Sequence, residues 1–166
     1  MRRELRGPDK IQLDAAQGWL GLGNYTEANE ELEKITPTKR AHPDVLRVRY
    51  EVYAAAEKWE GAAEIAKAIS ELAPESPFGF VHLARALHAL KRTREARDVL
   101  LPVVDQFNKE QILFYNLACY CCQLGDRKTA WQCLERAIAL AGPSDIRLRA
   151  LDDPDLAPMW LDIAEI

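Results

Sequence analysis

The chain has 166 residues, a formal net charge of −4, 29% charged and 48% hydrophobic residues. That excludes a disordered polar chain, and it excludes a broad basic field of the kind that gathers nucleic acid or acidic lipid. No apolar run approaches the ~20 residues of a bilayer span, and no apolar stretch follows Arg2, Arg3 and Arg6, so neither a span nor a secretory leader is expected and the simplest compartment is the cytoplasm.

Met1–Gly7 reads as a flexible basic tail. Pro8 suits the first turn of a helix, where its missing N–H costs nothing, and the predicted helix runs to about Leu22 with Ala16 and Trp19 at helical spacing. Gly21, Gly23 and Asn24 break it, and Thr26 can cap the next helix, which carries Ala28, Leu32 and Ile35. Pro37 ends that helix and predicts an irregular link. A second pair opens at Pro43 with Leu46, Tyr50 and Tyr53 as its apolar stripe. Its return helix follows Trp59, with Ala62, Ala66 and Ile69 facing in, and stops at Pro74.

In the third pair Ser76 can cap and Pro77 starts a helix carrying Phe80, Leu83, Ala84 and Leu87. Thr93 can cap its partner, which carries Ala96, Leu100 and Val103. Pro102 removes the bond to the carbonyl of Asp98 and predicts a kink. The fourth pair carries Phe114, Leu117, Ala118, Gly125, Ala130, Leu134 and Ala137. After Gly142–Pro143, Ser144 can cap one more helix with Ile146, Leu148 and Leu151 on one face. Asp152–Pro158 and the apolar Met159–Ile166 follow. Open stacks end in atypical units, so 144–166 is expected to be a C-terminal cap.

Ala28, Ala62, Ala96 and Ala130 are each 34 residues apart, and fixed periods of this length mark helical repeat arrays. On these residues, with Leu117, Ala118, Gly125, Leu134 and Ala137 completing one unit, the region from Pro8 to Pro143 resembles the tetratricopeptide repeat family. The units are about 8–42, 43–76, 77–110 and 111–143. The resemblance implies an all-α, right-handed superhelical solenoid of four helix-turn-helix repeats. It also implies a concave surface, lined by the first helix of each pair, where a peptide or helix of another protein binds. Tyr50 departs from the pattern, standing where the family has Gly or Ala, and predicts local repacking.

The register puts Lys10, Leu13, Gln17 and Leu20 on the inner face of the first unit. Asp44, Arg47, Glu51 and Ala54 follow in the second, Phe78, Val81, Arg85 and His88 in the third, and Ile112, Tyr115, Cys119 and Cys122 in the fourth. The subfamily that clamps a C-terminal carboxylate needs Lys and Asn where this chain has Leu13 and Gln17, or Arg47 and Glu51, so chaperone-tail binding is not expected. The candidate peptide-binding residues are Arg47, Phe78, Val81, His82, Arg85, His88, Tyr115 and Asn116, a mixture of cations, polar edges and an aromatic floor.

The expected function is a non-catalytic interaction module, monomeric or weakly dimeric. The alternative is a structural repeat that pairs with a second copy through its groove or its ends. Neither cofactor nor nucleic acid is expected. Four cysteines, three of them bunched at Cys119, Cys121 and Cys122, do not form a secreted disulfide framework. Cys119, Cys122 and His88 could meet on adjacent helices, but no fourth zinc ligand is evident, so no metal is expected. Gly21-x-Gly23 lacks the third glycine and the strand of a phosphate loop, and the acidic run from Glu27 to Glu33 reads as a solvated helix face.

Overall fold

The computed structural model describes residues 5–141 and 143–165, the side chains of 143–145 excepted. Among them there is helix and turn but no strand. The α-helices are α1 (Pro8–Gly21), α2 (Tyr25–Lys34), α3 (Pro43–Ala55), α4 (Trp59–Leu72), α5 (Pro77–Ala89), α6 (Thr93–Leu100), α7 (Gln111–Gln123), α8 (Arg127–Ala141), α9 (Pro143–Asp152) and α10 (Trp160–Ala164). Short 3-10 segments cover Pro37–Lys39, Leu101–Val103 and Pro154–Met159. The chain folds as two compact units, Met1–Gly79 and Phe80–Ile166, with the boundary inside α5.

In the first unit, Leu13 and Ala16 of α1, Ala28 and Leu32 of α2, and Val45, Val48 and Val52 of α3 share one core with Ile35. The side of α3 that enters this core is the valine row, because Val45, Val48 and Val52 repeat at helical spacing facing α1 and α2, and of the expected stripe Leu46, Tyr50 and Tyr53 only Tyr50 is fully buried. Tyr50 is 1% exposed and meets the edge of Phe78 with ring centroids 6.1 Å apart. Leu5 joins the same core at 8% exposure, so the tail expected over 1–7 is already anchored there, while residues 1–4 lie outside those described. The irregular link after Pro37 is held by Thr36, whose amide donates to the Asp9 carboxylate at 2.8 Å. That hydrogen bond holds the Asp9 pKa below its ordinary value.

In the second unit α7 is buried almost all round, from Leu113 to Cys122. It packs with Ala130, Leu134 and Ala137 of α8 and with Ile146, Ala150, Leu156, Met159 and Ile163 from the C-terminal elements. The inward face of α9 is thus Ile146 and Ala150, while Leu148 is 70% exposed. Ser144 lies outside the residues whose side chains are described. Pro102 does not kink α6. The helix ends at Leu100 and continues as a 3-10 turn, because the proline supplies no N–H to carry it on.

The repeat shows most clearly in the backbone of its turns. Gly23, Glu57, Lys91 and Gly125 have φ of 76°, 54°, 64° and 83°, and they are spaced by the same 34 residues as the alanines. After each, the amide of Asn24, Lys58, Arg92 or Asp126 donates to a carbonyl five residues back, at 2.9 Å in all four turns. This closes each first helix with the Schellman bond. In the outer two repeats a glycine accepts the left-handed angle and the next residue caps the return helix. Asn24 accepts from the Glu27 amide at 3.2 Å and Asp126 from the Thr129 amide at 3.1 Å. The inner two repeats have neither feature: Lys58 and Arg92 make no side-chain cap. Thr26 and Thr93 are not caps either, since each already lies inside its helix.

Left-handed backbone costs a non-glycine residue ~1–2 kcal/mol, of which glycine gives back ~0.5–1 kcal/mol in chain entropy. Glu57→Gly and Lys91→Gly are therefore each expected to stabilise by up to ~1 kcal/mol, read as a higher urea midpoint at unchanged slope. Gly125→Ala is expected to lower it. A midpoint that falls in both glycine variants would contradict this account of the turns.

Candidate functional site

The first unit carries an open groove of about 620 Å³ lined by Leu5, Lys10, Leu13, Gln17, Asp44, Arg47, Val48, Glu51 and Phe78. Positions 10, 13 and 17 of α1 and 44, 47 and 51 of α3 recur three and four residues apart, which puts each trio on one helix face. The floor is apolar, with Leu5, Leu13 and Val48, and the walls are polar.

Arg47 is held from two sides. One of its terminal nitrogens donates to the Ser76 hydroxyl at 3.1 Å, and its guanidinium lies 4.8 Å from the centre of the Phe78 ring. Ser76 in turn accepts from the Phe78 amide at 3.4 Å, so the expected cap of α5 is present and also fixes the arginine. The Nε of Arg47 is buried with no hydrogen-bond partner among the described residues. One turn along α3 from Arg47, desolvation raises the pKa of Glu51. Lys10 is paired with Asp14 one turn along α1. With Lys10 and Arg47 against Asp44 and Glu51, the walls offer donors and acceptors in equal measure. That suits the alternating carbonyls and amides of a peptide backbone better than a run of carboxylates.

The second unit treats its inner face differently. Tyr115, expected on an open groove floor, is 1% exposed. Its hydroxyl donates to Asp153 Oδ2 at 2.8 Å, and the guanidinium of Arg149 sits 4.1 Å from its ring centre. Burial, followed by the bond to Asp153, pushes the phenol pKa up. His88 bridges Thr93 Oγ1 and Asp155 Oδ2, each at 2.9 Å, and Gln123 Nε2 donates to the Asp155 carbonyl at 2.8 Å. The 3-10 segment Pro154–Met159 therefore covers these positions, anchored by Leu156 and Met159 at 0% and 1% exposure.

Of the eight candidates, Arg47 and Phe78 meet in the first-unit groove. Tyr115 and His88 instead bond to Asp153 and Asp155 of the C-terminal segment. Val81 is buried in the second core, His82 and Asn116 are half-buried, and Arg85 is exposed. Lys10, Leu13, Gln17, Asp44 and Glu51, which the register also assigns to the inner face, line the first-unit groove beside Arg47 and Phe78. The covering segment had a signal of its own. Asp153 before Pro154 is a cap-and-proline helix start, and Asp153 Oδ1 accepts from the Asp155 amide at 3.0 Å.

Solved structures are similar over nearly the whole chain. MamA from Desulfovibrio magneticus RS-1 superposes with a TM-score of 0.74 at 16% identity, covering 98% of this chain and 96% of that one. A thermophilic TPR protein from Thermus thermophilus does so with a TM-score of 0.72 at 19% identity, covering 95% of each. The fold is that of the tetratricopeptide repeat. No family model matches this tetratricopeptide-fold chain, and no curated protein matches it. None of its described helices is long and apolar enough to cross a membrane.

Proposed function

We propose that the chain is a non-catalytic protein-interaction module and that the first-unit groove takes a short segment of a partner protein. The observation that carries this is the groove itself. It is apolar at its floor, charge-balanced on its walls, and built from the positions that the repeat register assigns to the inner face. A bound segment lays its backbone between Arg47 and Glu51 and seats one apolar side chain on Leu13 and Val48. The segment beneath which Tyr115 and His88 lie leaves the second unit's inner face closed.

The test is selection of a random peptide library on the full chain, followed by calorimetric titration of the peptides recovered. Arg47→Glu is expected to weaken them about tenfold or more, since a hydrogen bond from a charged group to a carbonyl is worth ~1.5–3 kcal/mol and the new carboxylate repels that carbonyl. Arg85→Glu, outside this groove, is expected to leave them within about twofold. Peptides that bind the parent and Arg47→Glu alike would overturn the reading. Pairing with a second copy is favoured by a different observation, Leu148 at 70% and Leu161 at 86% exposure near the C-terminus. It predicts a dimer on sizing that Leu161→Glu dissociates, and a monomeric parent removes it.

A further inference from the structure

Of the C-x-x-C in α7, the fold brings other possible metal ligands to Cys119. Asp153 and Asp155 come in from the C-terminal segment so that Cys119 Sγ and one oxygen of each carboxylate lie within 4.8 Å of one another. Cys119 Sγ is 3.7 Å from Asp153 Oδ2. Cys119 is buried and the two carboxylates are partly so. Cys122, one turn further along the same face, is buried as well.

We propose that Cys119, Asp153 and Asp155 form a site for a thiophilic divalent cation of the zinc class, with Tyr115 and His88 orienting the carboxylates from outside. Zinc–sulfur bonds of ~2.3 Å and zinc–oxygen bonds of ~2.0–2.2 Å at a tetrahedral angle place sulfur and oxygen about 3.5 Å apart. The 3.7 Å between Cys119 and Asp153 is close to this, and the widest allowed pair closes by roughly an ångström or a little more. Sulfur among the donors selects zinc over magnesium or calcium, which take oxygen. Three protein donors leave the fourth place to water.

The outer contacts are those that metal-bound carboxylates need. Asp153 accepts from the Asp155 amide on Oδ1 and from the Tyr115 hydroxyl on Oδ2, the oxygen that Cys119 Sγ approaches. Asp155 is steadied by His88, which is itself fixed by Thr93. The surroundings also suit a cation in their charge. Two carboxylates face the Cys119 sulfur. Binding replaces the S–H bond with a sulfur–metal bond and releases one proton to solvent, which makes affinity rise with pH. The ion would tie the 3-10 segment to α7.

The experiment uses the full chain stripped with a chelator. Zinc is titrated against a chromophoric competitor, and cobalt(II) is titrated alone with absorbance read for the thiolate-to-cobalt charge-transfer band. The expected result is one ion per chain and a band that Cys119→Ser abolishes and Cys133→Ser keeps. Tyr115→Phe is expected to weaken zinc at least about tenfold, the loss typical of an outer contact, and Asp153→Asn, which removes a charged ligand, is expected to weaken it more. Circular dichroism confirms that each variant folds. No charge-transfer band in the folded parent, or zinc affinity unchanged in both Cys119→Ser and Asp153→Asn, would mean an adventitious ion only. The cluster would then be a hydrogen-bonded staple and the proposal would fall.

Discussion

Ending the chain at Asp152 is expected to destroy the packing of the second unit. The deletion removes Leu156, Met159 and Ile163, exposed to 0%, 1% and 0%. Each buried apolar side chain of this size contributes ~1.5–3 kcal/mol, and domains are stable by only ~5–15 kcal/mol in total. It also uncovers the inner side of α7, where Tyr115, Cys119 and Cys122 are 1–4% exposed. A continuous apolar face left open in this way drives association. The truncated chain should aggregate, or melt far below the parent by circular dichroism. Leu156→Ala tests the same claim more gently and is expected to cost ~2–5 kcal/mol, as buried leucine truncations do. Leu148→Ala, on the exposed side of α9, should stay within ~0.5 kcal/mol. A truncation that melts with the parent, together with a neutral Leu156→Ala, would show that the segment is a loose tail.

What the sequence revealed and what it hid follow from the range of the forces involved. Helix starts at Pro8, Pro43 and Pro77, the alanine period and the small-residue contacts were legible, because each depends on neighbours within a turn or on a spacing of 34 residues. The helical spacing that groups 10, 13 and 17 of α1 and 44, 47 and 51 of α3 was legible for the same reason, and these positions line the first-unit groove. The fate of Tyr115 was not. Its environment comes from Asp153, 38 residues away, and no periodicity links an aromatic in one helix to a carboxylate in an atypical terminal segment. The apolar face of α3 was legible only in part: Tyr50 is buried as expected and Tyr53 packs against the core, but the valines three and four apart, which define the side that meets α1 and α2, were not read. The left-handed turns at Glu57 and Lys91 were hidden too, since side chains that tolerate such angles poorly carry no sequence signal for them. Only the repeat, extrapolated from Gly23 and Gly125, points there.

Gly79→Ala is expected to destabilise the first unit, against its helix propensity. Alanine in a helix is ordinarily better than glycine by ~1 kcal/mol. Here a Cβ would stand 2.4 Å from the amide nitrogen of Ser70, 2.6 Å from its Cα and 2.8 Å from its Cβ. These are mostly backbone atoms of α4, and Ser70 is 9% exposed with its hydroxyl donating to the Lys67 carbonyl at 2.7 Å, so they cannot turn aside as a side chain would. The first turn of α5 must move away, and with it Phe78, the ring against which Arg47 is stacked in the groove. Overpacking of this kind costs ~1–3 kcal/mol, and the loss should appear as a lower melting temperature together with weaker binding of groove-selected peptides. Gly61→Ala is the internal comparison. Its Cβ would also come within 2.6 Å of a neighbour, but the atoms met are the Cδ1 and Cε1 of the Tyr53 ring, on a side chain that is only half-buried and can rotate. The propensity gain then offsets most of the cost, and Gly61→Ala should melt close to the parent. If Gly79→Ala melts as high as Gly61→Ala, the α4–α5 approach is looser than described and Gly79 is not what sets it.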